Sequence, residues 1–342
     1  MSAAWRRSRF TNALRGYASY ALSRLCSVHI SHEPLFVSVE PASVCQLRCP
    51  ECPVAFSNRT ALTDRRAVIG AADASALPKN QRFPGTPYMT AEVWLRTLEE
   101  IKPFVHTVQF FFQGEPLLHP RLSHMIAEAH AEGLYTIVST NAQSMTQEMA
   151  EALVRAGLSR IIVSMDGLTQ ETYSAYRIGG DIERCYQALR WLREAKERLH
   201  AHTTIELQCL RLKTNEHEWA TLRRQYKALG ADCLTLKTAQ LYDYTHGHPL
   251  MPSNPRYSRY RQLKDGLYHR KPLGKGCWRV WSGCVITTTG DVLPCCYDKA
   301  HAHAYGNIMN AHLRELFNNA KAQAFRRAAM SEQPAICKEC WR

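Results

Sequence analysis

From residue 90 to residue 237 the chain alternates between two spacings of apolar side chains. Short runs rich in valine, isoleucine and leucine predict strands, whereas apolar residues three or four positions apart predict helices. Strands are predicted at 36–41, 105–112, 135–139, 160–165, 203–210 and 233–237, and helices at 90–102, 119–132, 146–157, 181–199 and 215–229. Alternation of strand and helix is typical of a parallel α/β sheet. Periodicity alone leaves open whether six such units form a doubly wound sheet or a partial barrel.

A separate helix is predicted over residues 3–26, within an N-terminal unit that spans 1–33. Phe10, Leu14 and Tyr17 recur at helical spacing, and arginines surround them. We expect this apolar stripe to pack on the body of the protein while the arginines stay in solvent. The alternative is a basic amphipathic helix that lies on an anionic membrane surface. No apolar run is long enough to cross a membrane or to form a signal segment, so we expect a cytoplasmic protein, or one in peripheral contact with the membrane through this helix.

Two stretches lack clear periodicity. Residues 54–88 are rich in Gly, Pro, Ser and charge, which predicts a long loop, and a lid over a nearby site is one interpretation of it. Residues 245–275 carry Pro, Lys, Arg and Tyr and predict a linker. Residues 276–342 predict a β-hairpin that turns at Gly290-Asp291, followed by a helix at 312–329.

Charge and cysteine content narrow the chemistry. The 342 residues include 43 Lys and Arg against 30 Asp and Glu, a net charge of +13, which favours anionic partners such as phosphates, nucleic acid or a membrane surface. The 13 cysteines include a CxxxCxxC group that begins at Cys45 and a CxxC group that begins at Cys337. Grouping of this kind indicates metal or iron-sulfur sites rather than a disulfide framework.

The first group, Cys45, Cys49 and Cys52, comes directly after the predicted strand at 36–41. Three thiolates on one short loop can bind three irons of a [4Fe-4S] cube, and the fourth iron then has no protein ligand. That iron can be chelated by the amino and carboxylate groups of a methionine moiety, so the spacing fits a cluster that binds S-adenosylmethionine (SAM). A zinc site or unconnected buried thiols are the alternatives at this point.

Three further motifs follow in order, each at the end of a predicted strand: Gln113-Gly114-Glu115-Pro116, Ser139-Thr140-Asn141, and Ser164-Met165-Asp166-Gly167 with Arg177 downstream. Together with the cysteine triplet, this order resembles the radical SAM superfamily over residues 34–342. The resemblance implies a partial (β/α)6 barrel at 34–244, with its chemistry at the carboxyl ends of the strands. Residues 276–342 resemble the SPASM/twitch domain, a small β-hairpin plus helix module that binds an auxiliary iron-sulfur cluster.

The resemblance also implies which residues bind SAM. Gly114 and Glu115 match the positions that hold its amino group, and Asn141 matches a position near the ribose and methionine. Ser164 and Arg177 match the positions that bind its carboxylate. Without the resemblance, the first two motifs are ordinary turns and the arginine is a surface residue.

The chain departs from the family pattern at three positions. Gln113 and Ala142 replace glycines, which leaves a backbone contact to SAM open at the first of them. Glu51 stands where many members place an aromatic residue that contacts adenine, so the adenine contact is also open.

The cysteines that match the SPASM/twitch pattern are Cys277, Cys295, Cys337 and Cys340, and the resemblance implies that they bind a fully ligated auxiliary [4Fe-4S] cluster. Four thiolates with a terminal CxxC would also suit zinc. Two further cysteines have no place in the pattern and are expected to be structural: Cys284 and Cys296. The isolated cysteines are expected to be small core residues: Cys26, Cys185, Cys209 and Cys233.

These expectations combine into a radical SAM oxidoreductase. A 5′-deoxyadenosyl radical would abstract hydrogen from a small-molecule substrate, which the positive charge suggests is anionic, and the auxiliary cluster would assist a two-electron oxidation. A flavodoxin- or ferredoxin-type protein would donate the electron. The alternatives are a radical epimerase, with hydrogen returned by one of the two spare cysteines, and a peptide-modifying enzyme, which the short segment before Cys45 disfavours. A zinc-stabilised nucleic-acid-binding module is the alternative of another class, but no nucleic-acid motif is recognised, so no nucleic acid is expected.

Overall fold

The computed structural model describes residues 3–23, 30, 32–57, 87–271, 277–331, 333–338 and 340. Two predicted features, the central part of the long loop (58–86) and Cys26, lie outside these residues. The strands are β1 (Phe36–Val39), β2 (Thr107–Phe110), β3 (Tyr135–Thr140), β4 (Arg160–Ser164), β5 (Thr204–Arg211), β6 (Cys233–Thr238), β7 (Tyr260–Gln262), β8 (Tyr268–Arg270), β9 (Gly283–Ile286), β10 (Asp291–Leu293) and β11 (Gly306–Asn307). The α-helices are α1 (Ala3–Ser23), α2 (Pro53–Ser57), α3 (Ala91–Ile101), α4 (Leu122–Ala131), α5 (Gln147–Arg155), α6 (Gln170–Ser174), α7 (Ile182–Arg198), α8 (Trp219–Gln225), α9 (Trp278–Ser282), α10 (Leu313–Leu316), α11 (Ala320–Met330) and α12 (Ala335–Lys338).

Six parallel strands, β1 to β6, lie side by side in chain order, which confirms the predicted α/β fold. Phe36 on β1 lies opposite Thr107 on β2, and Glu206 on β5 lies opposite Cys233 on β6. Successive strands are joined by helical crossovers. Because every crossover returns the chain to the same end of the sheet, the carboxyl ends of all six strands lie along one edge. The predicted SAM motifs therefore share that edge.

Local sequence explains where the helices begin and which face they bury. The hydroxyl of Thr90 accepts the N–H of Val93 (3.3 Å) and so caps α3, as predicted. The ring of Trp94, on the buried face of α3, lies 5.4 Å from the ring of Phe110 on β2, measured between centroids. Contacts of this kind seal the sheet on its helical side and leave its carboxyl edge for chemistry.

The C-terminal hairpin extends the same sheet. Strand β9 pairs in parallel with β1, with Cys284 opposite Val37, and β10 and β11 follow in antiparallel order. Gly290 in the hairpin turn has φ +87°, a left-handed conformation that favours glycine. Since β9 and β1 share hydrogen bonds, the C-terminal module is held directly beside the strand that leads to the first cysteine group.

The stretch predicted as a linker is folded in its described part, 245–271. It contains the hairpin of β7 and β8, in which Tyr260 pairs with Arg270. Tyr260 is buried, and its hydroxyl donates to the carbonyl of Leu241 (2.8 Å) and accepts its N–H (2.7 Å). The segment has no long apolar run, and it is ordered instead by a few buried side chains, Leu250, Met251 and Tyr260, that share one apolar cluster.

Helix α1 is present, but it faces the other way from the prediction. Phe10, Leu14 and Tyr17 are 66%, 55% and 62% exposed, whereas Arg9 and Asn12 are buried. The expectation that the apolar stripe packs on the body is therefore wrong for these three residues, although Tyr20 of the same stripe is half-buried and packs against the core. Arg9 decides the orientation, because its guanidinium donates to carbonyls at the carboxyl ends of α3 and α4, which need partners. Among the described residues, no helix is both long and apolar enough to cross a bilayer.

Candidate functional site

Cys45, Cys49 and Cys52 lie on the loop that follows β1, which we call the cluster loop (residues 41–52). Cys49 is 6% exposed and the other two are half-buried. Burial raises the pKa of Cys45 to about 12 and also raises that of Cys49. Two donors already face these sulfurs, because the Leu47 N–H lies 3.5 Å from Cys45 Sγ and Arg177 Nη1 lies 3.9 Å from Cys49 Sγ. Buried thiols of this kind become thiolates when a metal centre compensates their charge.

Gly114 holds the cluster loop against the end of β2. A Cβ atom at this position would lie 2.0 Å from the carbonyl oxygen of Ala42, which is backbone and cannot move aside. The next residue, Glu115, donates its N–H to the carbonyl of Val44 (2.8 Å). The predicted motif thus packs backbone on backbone against the cluster loop, and only glycine fits there.

The carboxylate of Glu115 joins the ends of β2 and β3. It is 3% exposed, and it accepts the Thr140 hydroxyl (2.6 Å), the Asn141 N–H (2.8 Å) and the Leu117 N–H (3.1 Å). Burial raises its pKa, while these donors oppose the rise. The side chain of Asn141 in turn lies 3.4 Å from Cys45 Sγ. The structure therefore brings two predicted SAM-binding residues to the cluster loop.

The half-buried Arg177 and the buried Asp166 form an ion pair beside Cys49. Arg177 Nε donates to Asp166 Oδ2 at 2.6 Å, and the other carboxylate oxygen accepts the N–H of Leu210 (2.6 Å). Ser164, the last residue of β4, is also buried. Arg177 therefore lies beside the cluster loop and is not a solvated surface arginine.

The three departures from the family pattern have structural roles. Gln113 Nε2 donates to the carbonyl of Lys299 (3.0 Å) and so ties the end of β2 to the C-terminal module. Ala142 has φ +62°, in the left-handed region. Glu51 accepts the N–H of Tyr242 (2.8 Å) and lies 3.3 Å from His248 Nε2, so it anchors the segment after β6 to the cluster loop.

Two cations that the sequence analysis did not identify, Lys299 and Arg259, interact electrostatically with each other, and Lys299 also interacts with Cys52 of the cluster loop. Lys299 Nζ donates to the Tyr242 hydroxyl (2.6 Å), and Arg259 donates to the Tyr297 hydroxyl (3.0 Å) and to the backbone at the end of β6. Burial lowers the pKa of Lys299, while Tyr297 and Cys52 oppose this. Among the described residues, neither cation forms an ion pair with a carboxylate. No motif marks these positions in the sequence, because one lies in the predicted linker and the other follows the hairpin.

The C-terminal cysteines form a second group. Cys277, Cys337 and Cys340 are 7%, 7% and 8% exposed, and Cys295 is half-buried. Burial raises the pKa of Cys295 well above its ordinary value, and the thiols of Cys277 and Cys337 are among the neighbours that raise it further. Cys277 and Cys337 thus lie close enough to Cys295 to act on its pKa, although the three residues come from separate segments of the chain.

The two spare cysteines differ in their surroundings. Cys284 is 1% exposed and packs in the core from β9, as a structural residue does. Cys296 is half-buried, and its Sγ lies 4.0 Å from Arg279 Nη1. Among the isolated cysteines, Cys185 and Cys209 are buried in the core, which confirms that prediction for them. The prediction is wrong for Cys233, which is half-buried at the start of the edge strand β6.

The chemistry of both donor sets fits iron-sulfur clusters. In the part of the chain that the structure describes, no three His, Cys, Asp or Glu side chains converge as they would on a single metal ion. A cluster needs no such convergence, because each of its irons takes one thiolate. Both groups consist of thiols only, the ligands that such clusters use.

Comparison with known proteins identifies both regions. A model of the radical SAM superfamily matches residues 39–223, and a model of the SPASM iron-sulfur cluster-binding domain matches residues 277–341. The AdoMet-dependent heme synthase of Methanosarcina barkeri is 23% identical over 341 residues, which cover 90% of this chain and 88% of that protein. The PqqA peptide cyclase of Rhodopseudomonas palustris is 26% identical over 334 residues, with 90% and 79% covered. The crystal structure of Streptococcus suis SuiB shares the fold, with a TM-score of 0.62 and 15% identity over 93% of this chain and 72% of that chain.

Proposed function

The chain belongs to the radical SAM superfamily, and from this premise we propose that it oxidises a small anionic molecule by two electrons. It binds SAM and [4Fe-4S] clusters, in keeping with its two matched domains. The SAM-binding cluster supplies the electron that cleaves SAM to methionine and a 5′-deoxyadenosyl radical, the hydrogen-abstracting species of the family. The proposal concerns which residues bind each group and what happens to the substrate.

Cys45, Cys49 and Cys52 are the proposed ligands of the SAM-binding cluster. Glu115 is the proposed partner of the SAM amino group, because its Oε2 accepts one N–H and has room for another donor. Arg177 is the proposed partner of the SAM carboxylate. Its Nε donates to the Asp166 carboxylate, and its Nη1 lies near Cys49 Sγ, so the guanidinium faces the proposed cluster ligands.

The backbone of Gly114 and the side chains of Asn141 and Ser164 complete the proposed SAM site. All three lie at the carboxyl ends of β2, β3 and β4, the edge where such folds bind their ligands. The burial of Asn141 and Ser164 supports a role in excluding water from the cofactor.

The observation that carries the substrate proposal is a pair of neighbouring cations, Lys299 and Arg259, of which Lys299 interacts with Cys52 of the cluster loop. Lys299 and Arg259 are held by tyrosine hydroxyls rather than by carboxylates, so their charge is available to a ligand. Lys299 is close enough to Cys52 for the two to interact electrostatically. A carboxylate or phosphate bound here would place the attached carbon near the SAM site.

The C-terminal thiols support oxidation as the outcome. A cluster held by Cys277, Cys295, Cys337 and Cys340 has no open iron for a substrate, and it supplies a one-electron acceptor instead. The balanced reaction removes one hydrogen atom, one electron and one proton from the substrate, and it consumes one SAM. A flavodoxin- or ferredoxin-type protein is the proposed donor of the first electron.

Two other outcomes rest on specific observations. Cys296 is half-buried beside Arg279, whereas Cys284 is buried in the core, so Cys296 is the more accessible of the two spare thiols and the candidate hydrogen donor of an epimerase. A peptide substrate is favoured by the names of similar proteins, since one is a PqqA peptide cyclase and another was crystallised with precursor peptide SuiA.

The first experiment measures iron and sulfide per chain after anaerobic reconstitution. Wild type should bind about eight irons, and the Cys45→Ala/Cys49→Ala/Cys52→Ala variant about four, with no 5′-deoxyadenosine formed from SAM and dithionite. Cys284→Ala is the matched control, because it removes a buried thiol outside both groups and should leave iron unchanged. A wild type that binds no iron would overturn the assignment. If wild type binds about four irons and the triple variant binds none, the C-terminal thiols bind zinc instead of a second cluster.

The second experiment distinguishes the outcomes. Small carboxylates and phosphates are screened for those that stimulate 5′-deoxyadenosine formation, and products are analysed by mass spectrometry in deuterated water. Oxidation gives a product two hydrogens lighter, whereas epimerisation gives a product of unchanged formula that carries solvent deuterium. Lys299→Gln should raise the KM of a stimulating anion at least tenfold while iron content stays constant. Stimulation by peptides alone would refute the small-substrate proposal.

A further inference from the structure

We infer that helix α1 binds an anionic membrane surface through its exposed apolar face. This face carries Phe10, Leu14, Tyr17 and Leu22, which are 66%, 55%, 62% and 57% exposed. Half of the large hydrophobic side chains exposed in the described part of the chain lie on this one helix. Single exposed hydrophobic side chains are ordinary, but a row of them along one helix indicates that this face of the helix binds an apolar partner, either a protein or a membrane.

The helix is attached to the body by its polar side, so the apolar face is not available for the core. Arg9 donates to three backbone carbonyls at the ends of α3 and α4, at 2.7–3.2 Å. Asn12 donates to the carbonyl of Glu33 (3.1 Å) and accepts its N–H (2.9 Å). Gly16 faces His32 so closely that a Cβ would lie 3.2 Å from the imidazole. These contacts set the rotation of the helix and direct the apolar side outward.

The positive charge of the N-terminal segment indicates that the surface that binds the apolar face of α1 is anionic. Residues 1–32 contain five arginines and no aspartate or glutamate. Arg15 is exposed on the border of the apolar face. Aromatic and leucine side chains next to arginines, without acidic residues, are typical of helices that lie in a membrane interface. An anionic lipid surface satisfies both the apolar and the cationic side chains at once.

The helix is also coupled to the iron-sulfur module. The ring of Tyr17 stacks on that of Trp278 with 4.6 Å between centroids, and Tyr20 packs edge-on against Trp278 and Trp281. Trp278 directly follows the proposed ligand Cys277. Membrane binding through α1 would therefore orient the enzyme with respect to the lipid surface without any change in its sites.

The test is co-sedimentation of the full-length reconstituted protein with vesicles. One vesicle type contains phosphatidylcholine alone, and the other contains phosphatidylcholine and phosphatidylglycerol in equal amounts. Wild type should bind the anionic vesicles at least tenfold more tightly than the neutral ones, and salt should weaken this binding. The Phe10→Ser/Leu14→Ser variant should bind the anionic vesicles at least tenfold more weakly than wild type, and Arg15→Glu should show a smaller loss.

Leu263→Ser is the matched control, since Leu263 is an exposed leucine outside α1 and its replacement should leave vesicle binding unchanged. Circular dichroism and 5′-deoxyadenosine formation show that each variant is folded and active. Failure of wild type to bind anionic vesicles would overturn the inference. It would also be overturned if the Phe10→Ser/Leu14→Ser variant bound vesicles as tightly as wild type. A third contrary result is a wild type that does not bind vesicles but forms a dimer in light scattering, with this variant monomeric.

Discussion

Glu40 is expected to make the stability of the protein fall as pH rises through neutrality. It directly follows β1 and is 1% exposed; Oε2 lies 3.4 Å from the Thr288 N–H, while Oε1 is buried without a hydrogen-bond partner among the described residues. Burial raises the pKa of this carboxyl from 4.5 to about 7, although N–H groups of Thr288 and Gln113 oppose the rise. The folded state therefore holds a proton that the unfolded chain releases, and the free energy of unfolding decreases between these two values. At 1.36 kcal/mol per pH unit, the whole effect is about 3 kcal/mol.

The assay is anaerobic urea unfolding of wild type, Glu40→Gln and Glu194→Gln at about pH 6 and about pH 8.5. Over this interval Glu40 should cost the wild type about 1.4 kcal/mol, a loss that Glu40→Gln does not show. Glu194 is an exposed carboxylate on α7, so Glu194→Gln should follow the wild type. A Glu40→Gln variant with the same pH dependence as the wild type would refute the reasoning.

Three substitutions test other contacts. Gly114→Ala places a methyl group 2.0 Å from the Ala42 carbonyl oxygen, so we expect about 1–3 kcal/mol of destabilisation and less iron at the first site; unchanged melting and iron content would contradict this packing. Asp166→Asn leaves the half-buried Arg177 without its carboxylate and should lower stability by about 3 kcal/mol and weaken SAM binding in equilibrium dialysis, whereas unchanged values would show that the ion pair is dispensable. Arg9→Met removes the bonds to α3 and α4, and limited proteolysis should then cut within residues 3–23 faster while 5′-deoxyadenosine formation persists; equal cleavage rates would mean that other contacts hold α1.

The family and its cofactors were predictable because they depend on short motifs. The spacing of Cys45, Cys49 and Cys52, and the order of the motifs around Glu115 and Arg177, are visible in the sequence alone, and they lie within the region that the family model matches. Ligand spacing on one loop is a local property, so it can be recognised without a structure. The assignment of those side chains to particular groups of SAM is still a proposal, which iron analysis and binding measurements will test.

The substituted motif positions were harder to interpret. Gln113 and Glu51 appeared as losses of a glycine and of an aromatic residue, but their side chains bind the backbone of residues 186 and 191 positions further along the chain. Ala142 adopts a left-handed backbone conformation, which could not be predicted because alanine rarely adopts it. The contacts of Gln113 and Glu51 could not be predicted, because they join segments that are far apart in the sequence and meet only in the folded protein.

The sequence by itself determined the alternation of strands and helices, the cap of α3 at Thr90 and the spacing of Cys45, Cys49 and Cys52, because each follows from residues within a few turns of one another. Only the tertiary structure decided which side of α1 faces solvent, since Arg9 selects it through carbonyls at residues 102, 132 and 133. Only the tertiary structure placed Lys299 beside Cys52 and buried Glu40 against the C-terminal hairpin. Burial and the approach of charges distant in sequence set these properties, and neither can be read from local hydrophobic periodicity.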